Sequence, residues 1–303
     1  MVAVLFPGQG AQNVGMGDWL VANHSVARAR FDEASDILGY DLADLCRQGP
    51  KEKLDQTEFS QPALFVVAVA AAEVLVQIDP ERLANVTAAA GLSLGEYTAV
   101  YFAGGLSFAD GVRLVQRRGQ AMQAAADTLQ SGMASVIGME LPAIEALCQE
   151  CRGDGEVLQP ANLLCPGNVA VSGHQNAIEQ LVKRGPEAGA AKVIPLAVAG
   201  AFHTELMRPA VEKLEAALAE IPIQDCQIPV YSNVDASPHT SAGEIRELLA
   251  KQVVAPVLWG QSLSAMIEAG VDRFEELGTG KVLRGTLKRV NRKFPADGFG
   301  DGP

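Results

Sequence analysis

Val86-Thr-Ala-Ala-Ala-Gly91-Leu-Ser93-Leu-Gly95 is the stretch of sequence that decides the fold. Its first half, Val86 to Ala90, is a short run of small and apolar residues, typical of a strand buried inside a parallel sheet. A helical pattern follows, from Leu94 to about Phe102. A Gly-x-Ser-x-Gly sequence between a strand and a helix predicts a tight turn that presents the Ser93 hydroxyl at the helix N-terminus, where backbone amides favour developing negative charge. This turn predicts a serine nucleophile; the alternative is a turn that Ser93 merely caps.

The length and composition are those of an ordinary globular protein. The 303 residues are enough for two domains, or for one large α/β domain with an insertion. Apolar residues make up 48% and charged residues 20%, which argues against a disordered chain and against a coiled coil. The net charge of −12 argues against binding of nucleic acid or of an anionic membrane surface through the overall field.

The sequence gives no sign of a membrane span or an export signal. The longest apolar run, Ala63 to Ile78, is interrupted by Glu73 and is too short for a bilayer, so it predicts a buried helix. The N-terminus enters an apolar strand, Val2 to Phe6, without a basic leader. Five scattered cysteines favour a reducing compartment. We expect a cytoplasmic bacterial protein, or an organellar one whose transit peptide has been removed.

Two patterns of predicted elements divide the chain. Residues 1–128 and 199–303 alternate helices and strands, which predicts one large, hydrolase-like α/β domain around a central, mainly parallel sheet. Residues 129–198 follow the order β-α-β-β-α-β, which predicts an inserted ferredoxin-like small subdomain. The Gly-, Pro- and Asp-rich end, residues 294–303, predicts a frayed tail.

His203 and Arg118 are the polar residues best suited to work with Ser93. A nucleophilic serine needs a base, and His203 follows the apolar run Val198-Ala-Gly-Ala-Phe202, where a histidine would be enclosed. A histidine that serves only the core is the alternative. Arg118 falls beside the inward stripe of a helix predicted over residues 110–126. An inward guanidinium needs a carboxylate, and the residues leave open whether the protein or a ligand supplies it.

Motifs spread over nearly the whole chain are shared with one known family. They include Phe6-Pro-Gly-Gln9-Gly, Gly91-Leu-Ser93-Leu-Gly-Glu96-Tyr97, Arg117-Arg118-Gly119, Phe202-His203-Thr204, Ser232-Asn233-Val234-Asp235 and Glu276-Leu-Gly. On these residues the chain resembles the malonyl-CoA:acyl carrier protein transacylases, the acyltransferases that load fatty-acid and polyketide synthesis. The sequence departs from the usual family pattern at Leu92, Leu164 and Asn168, where His, Asn and Gln are common.

The resemblance implies the parts of an acyl-transfer site. It makes Ser93 the nucleophile and His203 its base, oriented by the main-chain carbonyl of Gln252 instead of an aspartate. It assigns the oxyanion hole to the backbone N–H groups of Gln9 and Leu94. The reaction it implies is transfer of a malonyl group from malonyl-CoA to the phosphopantetheine thiol of acyl carrier protein, through a malonyl-serine intermediate.

The resemblance also implies how the substrate is held. Arg118 becomes the anchor of the malonyl carboxylate, and Phe202 and Asn162 become substrate-binding residues. No metal and no tightly held cofactor is expected, since the only small molecules needed are malonyl-CoA and CoA. The expected protein partner is phosphopantetheinylated acyl carrier protein, with no nucleic acid and no membrane, and we expect a monomer.

A basic segment near the C-terminus is a candidate docking surface for the carrier protein. Its basic residues are Lys281, Arg284, Lys288, Arg289 and Arg292, several of them at helical spacing opposite an apolar stripe. Carrier proteins are acidic, so attraction to this acidic chain must come from such a local patch. The alternative is an ordinary solvated helix face.

Two other functions remain open on the residues alone. A serine hydrolase or thioesterase with a similar sheet predicts an acidic third member of a triad and no inward arginine, so Arg118 argues against it. A non-catalytic module that binds the carrier protein would use Ser93 only as a helix cap. Mixing the protein with malonyl-CoA distinguishes the three functions. A transferase gives a lasting malonyl adduct, a hydrolase gives free malonate, and a binding module gives no reaction.

Overall fold

The computed structural model describes residues 1–302, which form two sheets surrounded by helices. The strands are β1 (Val2–Phe6), β2 (Val86–Gly91), β3 (Ser131–Ile137), β4 (Leu158–Cys165), β5 (Asn168–His174), β6 (Lys192–Pro195), β7 (Val230–Tyr231), β8 (Pro238–His239), β9 (Arg273–Leu277) and β10 (Ala296–Phe299).

The helices lie between these strands along the chain. They are α1 (Asp18–Asn23), α2 (Ser25–Leu38), α3 (Leu42–Gln48), α4 (Lys51–Leu54), α5 (Thr57–Ile78), α6 (Leu94–Phe102), α7 (Phe108–Ala126), α8 (Leu141–Cys151), α9 (Gln175–Arg184), α10 (Arg208–Glu220), α11 (Ala242–Lys251), α12 (Trp259–Glu268) and α13 (Val282–Val290).

The larger sheet has six strands in the order β10-β9-β1-β2-β7-β8, and only β8 runs antiparallel to its neighbour. Every residue of β1 is buried, as expected of a central strand covered on both faces. Phe6, the last residue of β1, pairs with Gly91, the last residue of β2. The loops that follow these two strands therefore leave the same edge of the sheet, which is where ligands bind in open α/β sheets.

Helix α5 passes through the core of the large domain. Its 22 residues are apolar on nearly all sides, and 83% of its most apolar 18-residue window is buried. By length and composition α5 is long enough to cross a membrane, so the prediction that this run is too short was wrong. The helix is longer than the apolar run because it begins at Thr57, and the polar residues Thr57, Ser60 and Gln61 near its start are also buried. The burial is that of a core helix, as the sequence predicted.

The smaller sheet is antiparallel, with the order β4-β5-β3-β6. Helices α8 and α9 pack on it around a core of its own, which includes Ile144, Val171 and Leu181. This is the strand order of a ferredoxin-like unit, and together with the mainly parallel large sheet it confirms the predicted fold class. The predicted boundaries at 128/129 and 198/199 fall outside the strands of both sheets.

Two predictions about the C-terminal region were wrong. Residues 296–299 are not a frayed tail but form the edge strand β10, which pairs in parallel with β9. Helix α13 ends at Val290, so the basic segment that was predicted to be helical is longer than the helix, and Arg292 lies beyond it. The apolar stripe of α13 is in place, because Leu283 and Leu287 are fully buried beneath the large sheet.

Candidate active site

Ser93 sits in a strained turn between β2 and α6. Its backbone has φ 50° and ψ −101°, a conformation that residues with a side chain rarely adopt. The flanking glycines are required by space: a Cβ on Gly91 would come 1.9 Å from the carbonyl carbon of Gly95, and one on Gly95 would come 2.1 Å from the Phe6 oxygen. The turn is therefore the predicted nucleophile elbow, and Ser93 makes no side-chain cap to α6.

Ser93, His203 and Gln252 form a hydrogen-bonded chain. The Ser93 Oγ lies 2.9 Å from His203 Nε2, and His203 Nδ1 lies 2.8 Å from the main-chain oxygen of Gln252. A carbonyl oxygen can only accept, so Nδ1 carries the proton and Nε2 is the bare nitrogen that accepts from the serine hydroxyl. The sequence predicted these three residues together, and the structure places them in this order. The arrangement suits general-base activation of Ser93.

The imidazole of His203 is held in its neutral form. His203 is 2% exposed, and burial together with the nearby Arg118 guanidinium lowers its pKa from 6.5 to about 4. The carbonyl of Gln252 acts in the opposite direction but does not outweigh burial. The backbone of His203 has φ 63°, an uncommon value for a residue with a side chain, so the loop before α10 is bent where it carries this histidine to the elbow.

Arg118 is buried beside the serine and has no carboxylate partner among residues 1–302. Its guanidinium donates to Gln61 Oε1 at 2.8 Å, to Gln252 Oε1 at 2.8 Å and to Ser93 Oγ at 3.0 Å, while its Nε has no partner. The guanidinium carbon lies 5.0 Å from the centre of the Tyr97 ring. Burial lowers the pKa of Arg118, although arginine keeps its charge in proteins. The sequence left open which carboxylate pairs with Arg118. In the structure neutral groups hold this cation, and a carboxylate of a ligand would complete its contacts.

Two backbone N–H groups next to the elbow have no protein acceptor. Within residues 1–302 the N–H groups of Gln9 and Leu94 donate to no other group, whereas their neighbours Leu92 and Gly95 do. The loop after β1 reaches the elbow because Gly8 lacks a side chain; a Cβ there would come 2.2 Å from the Leu92 oxygen. Free donors on two adjoining loops are what an oxyanion hole requires.

Behind the reacting atoms lies a polar network that the sequence did not predict. Glu96 is 3% exposed, and its carboxylate accepts from Gln252 Nε2 at 2.6 Å and from the Asn233 N–H at 3.1 Å. The Asn233 side chain accepts from the Ser93 N–H at 2.7 Å and donates to the Gly91 oxygen at 2.8 Å. Burial raises the pKa of Glu96 to about 7. A charged residue in an otherwise apolar first helical turn was the available signal for this site.

A cleft of about 340 Å³ leads to the elbow between the two sheets. Its walls include the loop after β1, the small sheet and the first turn of α13, with Gln9, Leu92, Asn162, Leu164 and Val282 among the lining residues. The Oδ1 atom of Asn162 is buried without a partner, so this predicted binding residue has a free acceptor. Phe202, the other residue predicted to bind substrate, does not line the cleft. It is 5% exposed and packs in the core of the large domain.

The basic segment is only partly free. Arg284 is engaged by the buried carboxylate of Glu276, at 3.1 Å, so we remove it from the candidate docking surface. Lys281, Lys288, Arg289 and Arg292 are exposed, and we call these four the basic face. Its first residue directly precedes Val282 and Leu283, which line the cleft.

Among residues 1–302 there is no group of three His, Cys, Asp or Glu side chains arranged to hold a metal ion. The expectation that no metal or cofactor takes part stays a prediction.

Comparison with known proteins decides the family. The Acyl transferase domain family matches residues 4–292. The chain belongs to this family. The match covers the elbow, His203, Arg118 and the whole of the small sheet.

Two curated relatives of this acyl transferase domain carry the same name. The Malonyl CoA-acyl carrier protein transacylase of Bacillus subtilis (strain 168) is 40% identical over 295 residues, which are 97% of this chain and 91% of that protein. The protein of the same name from Escherichia coli (strain K12) is 41% identical over 288 residues, 95% of this chain and 92% of that protein. The resemblance that the motifs predicted is confirmed, and the chain is an acyltransferase.

Solved structures agree with the sequence relatives. An acyl carrier protein S-malonyltransferase from Vibrio cholerae matches with a TM-score of 0.92 and 39% identity, covering 99% of this chain and 97% of that one. A malonyl-transacylase solved in complex with a type II PKS acyl-carrier protein matches with a TM-score of 0.93 and 38% identity, covering 98% of this chain and 95% of that one.

Proposed function

We propose that the protein transfers a malonyl group from malonyl-CoA to the phosphopantetheine thiol of acyl carrier protein, by way of a malonyl ester of Ser93. One observation carries the choice of acyl group: the buried guanidinium of Arg118 lies beside the Ser93 hydroxyl and is held by amides, so it is free to bind a carboxylate on the acyl chain. The names of the relatives support the same donor and acceptor.

The first half-reaction forms the acyl-enzyme. Ser93 Oγ attacks the thioester carbonyl carbon as its proton passes to His203 Nε2, and the carbonyl oxygen becomes an oxyanion that the Gln9 and Leu94 N–H groups stabilise. Each such donor contributes about 3 kcal/mol to the transition state. The C–S bond then breaks, and His203 returns the proton to the CoA thiolate, which leaves as CoA-SH.

The second half-reaction runs the same steps with a different thiol. His203 takes the proton of the phosphopantetheine thiol, whose sulfur attacks the malonyl-serine carbonyl. The ester bond breaks, and the same proton returns to Ser93 Oγ, so the enzyme is regenerated without net proton uptake. Gln252 keeps His203 in the required tautomer throughout, through its main-chain oxygen.

The carrier protein is the proposed macromolecular partner, and the basic face is its proposed docking site. A solved relative that binds a carrier protein supports the partner, and exposed cations beside the cleft support the place. We further propose a cytoplasmic monomer that binds neither nucleic acid nor membrane.

The experiment that tests the function is intact-mass measurement after mixing with malonyl-CoA. A malonyl adduct that persists, and that disappears on adding phosphopantetheinylated carrier protein, is the expected result. Release of free malonate without carrier protein would instead make the protein a hydrolase, and absence of any reaction would make it a binding module. Acyl carrier protein lacking phosphopantetheine is the control, since it has no thiol to accept the group.

A further inference from the structure

The Glu96 carboxylate does not line the cleft, yet its hydrogen-bond partner Gln252 contacts Ser93, His203 and Arg118. It is buried in the first turn of α6, three residues after Ser93. Its two hydrogen-bond donors, Gln252 Nε2 and the Asn233 N–H, come from segments 156 and 137 residues away in sequence. A buried carboxylate is costly unless it is bound in this way, so the polar contacts fix these three segments relative to one another.

The Glu96 carboxylate fixes the orientation of the Gln252 side-chain amide. The Nε2 of Gln252 meets three acceptors, of which Glu96 Oε2 is the nearest at 2.6 Å, followed by the Ser93 main-chain oxygen at 3.0 Å and Asn233 Oδ1 at 3.4 Å. The Oε1 is thereby turned to Arg118 Nη2, at 2.8 Å. The reversed amide would place its NH₂ against a guanidinium and its oxygen against a carboxylate, two repulsive contacts in a buried site.

We propose that Glu96 is a positioning residue for malonyl recognition: through the Gln252 side chain it fixes the Arg118 guanidinium in place beside Ser93. This rests on the proposed function, because it concerns the contact between Arg118 and the malonyl carboxylate. The Gln252 amide, which lies between Glu96 and Arg118, also leaves the charge of Arg118 available. A carboxylate in direct contact would occupy the guanidinium and compete with substrate, whereas the Gln252 oxygen holds Arg118 without neutralising it.

The balance of forces on the Glu96 carboxyl supports this link. Burial raises its pKa, and the groups that act in the opposite direction are Gln252, Asn233, Ser232 and the Arg118 cation. The charged form of Glu96 is therefore favoured by the residues that it is proposed to hold.

The test compares malonyl with acetyl transfer, because only the malonyl group uses Arg118. For Glu96→Gln we expect the ratio of the acylation kcat/KM with malonyl-CoA to that with acetyl-CoA to fall by between about tenfold and a hundredfold, the scale of a misplaced substrate-holding group. An unchanged ratio would overturn the proposal, even if both rates fell. A raised ratio would also overturn it, since it would mean that Glu96 only weakens the field of Arg118.

Glu275→Gln is the matched control. Glu275 is also a fully buried glutamate, but it lies on β9 beside Val4 and pairs with Arg82, away from the elbow. We expect this variant to lose stability without changing the malonyl-to-acetyl ratio. The wild-type protein keeps the two proposals apart: if it forms no malonyl adduct, the proposed function fails, whereas an adduct with an unchanged ratio in Glu96→Gln defeats only the role of Glu96.

A double-mutant cycle tests whether Glu96 acts through Gln252. Gln252→Leu removes the side-chain amide and keeps the main-chain oxygen that holds His203. Adding Glu96→Gln to this variant is expected to change the ratio no further, because the linking amide is already gone. Full additivity of the two losses would contradict the proposal. If Glu96→Gln does not fold, Glu96→Asp keeps the charge while drawing the carboxylate back from Gln252, and the same fall in ratio is expected.

Discussion

Arg118 Nη2 lies 3.0 Å from Ser93 Oγ and 2.8 Å from Gln252 Oε1, so the cation of this site touches the serine hydroxyl directly. Charge and hydroxyl are therefore arranged for an acyl group that carries its own carboxylate a few bonds from the thioester carbon. A hydrolase of neutral esters gains nothing from a buried guanidinium at this point, which has a desolvation cost and no protein carboxylate to offset it.

Removing the Ser93 hydroxyl is expected to abolish acyl-enzyme formation and to leave the fold intact. In Ser93→Ala the strained backbone of the turn stays, held by Asn233 and the flanking glycines, and only the Oγ contacts to His203 and Arg118 are lost. Intact mass after incubation with malonyl-CoA gives the result, and thermal unfolding followed by circular dichroism is the control. A malonyl adduct that formed at the wild-type rate would show that another residue is the nucleophile.

Arg118→Ala is expected to reduce malonyl transfer far more than acetyl transfer. Loss of a buried charge-assisted contact with the malonyl carboxylate costs on the order of 3 kcal/mol, which acetyl-CoA does not experience. The measurement is kcat/KM for acylation with each thioester. Gln61→Leu is a useful companion, because it removes one amide that holds the guanidinium and leaves the cation in place. Equal losses with both donors would show that Arg118 is structural.

The pKa of His203 predicts activity well below neutral pH. Burial lowers this pKa from 6.5 to about 4, so the imidazole stays neutral, and able to accept the Ser93 proton, until the pH falls through about 4. Single-turnover acylation by acetyl-CoA is the suitable measurement, since it does not depend on the Arg118 contact with a carboxylate. We expect the acid limb of kcat/KM near pH 4, with circular dichroism to verify that the protein remains folded. Half-loss of the rate near pH 6.5 would contradict the enclosed, neutral histidine.

The local parts of the site were predictable from the sequence. Helix α6 begins and ends at the predicted residues, because a buried strand, a glycine-flanked turn and the helix that follows it are set by neighbours along the chain. The partnership of Ser93 with His203 was also predictable, since few histidines lie in apolar surroundings. Strand β9 was missed because Arg273-Phe-Glu-Glu-Leu277 does not look like a core strand.

The buried carboxylates could not be predicted from the sequence, because their partners come from other parts of the fold. Glu275 and Glu276 are buried in β9 because arginines outside the strand bind their carboxylates: Arg82, 193 residues away from Glu275, and Arg284, eight residues after Glu276. In the same way Glu96 is buried because Asn233 and Gln252 reach it from far along the chain. Burial of a charge depends on partners that periodicity cannot identify, and for this reason the network behind the elbow was absent from the prediction.

Reversing the charge of the basic face is expected to slow the second half-reaction only. In the triple variant Lys288, Arg289 and Arg292 become Glu, which reverses three of the four exposed cations of the basic face. Attraction between exposed charges is screened within about 10 Å at 0.1 M salt, so the loss in carrier-protein transfer is expected to be large at low salt and small at high salt.

The matched control for this variant changes three exposed cations elsewhere, Arg28, Lys183 and Lys213, to Glu. It alters the net charge equally but leaves the face beside the cleft intact, so a general field effect would slow both variants alike. Malonyl-enzyme formation from malonyl-CoA, measured separately, is expected to be nearly unchanged in each. A parallel loss in that first step would mean that the basic face holds the CoA phosphates. Unaltered carrier-protein kinetics at low salt would remove the docking role from this face.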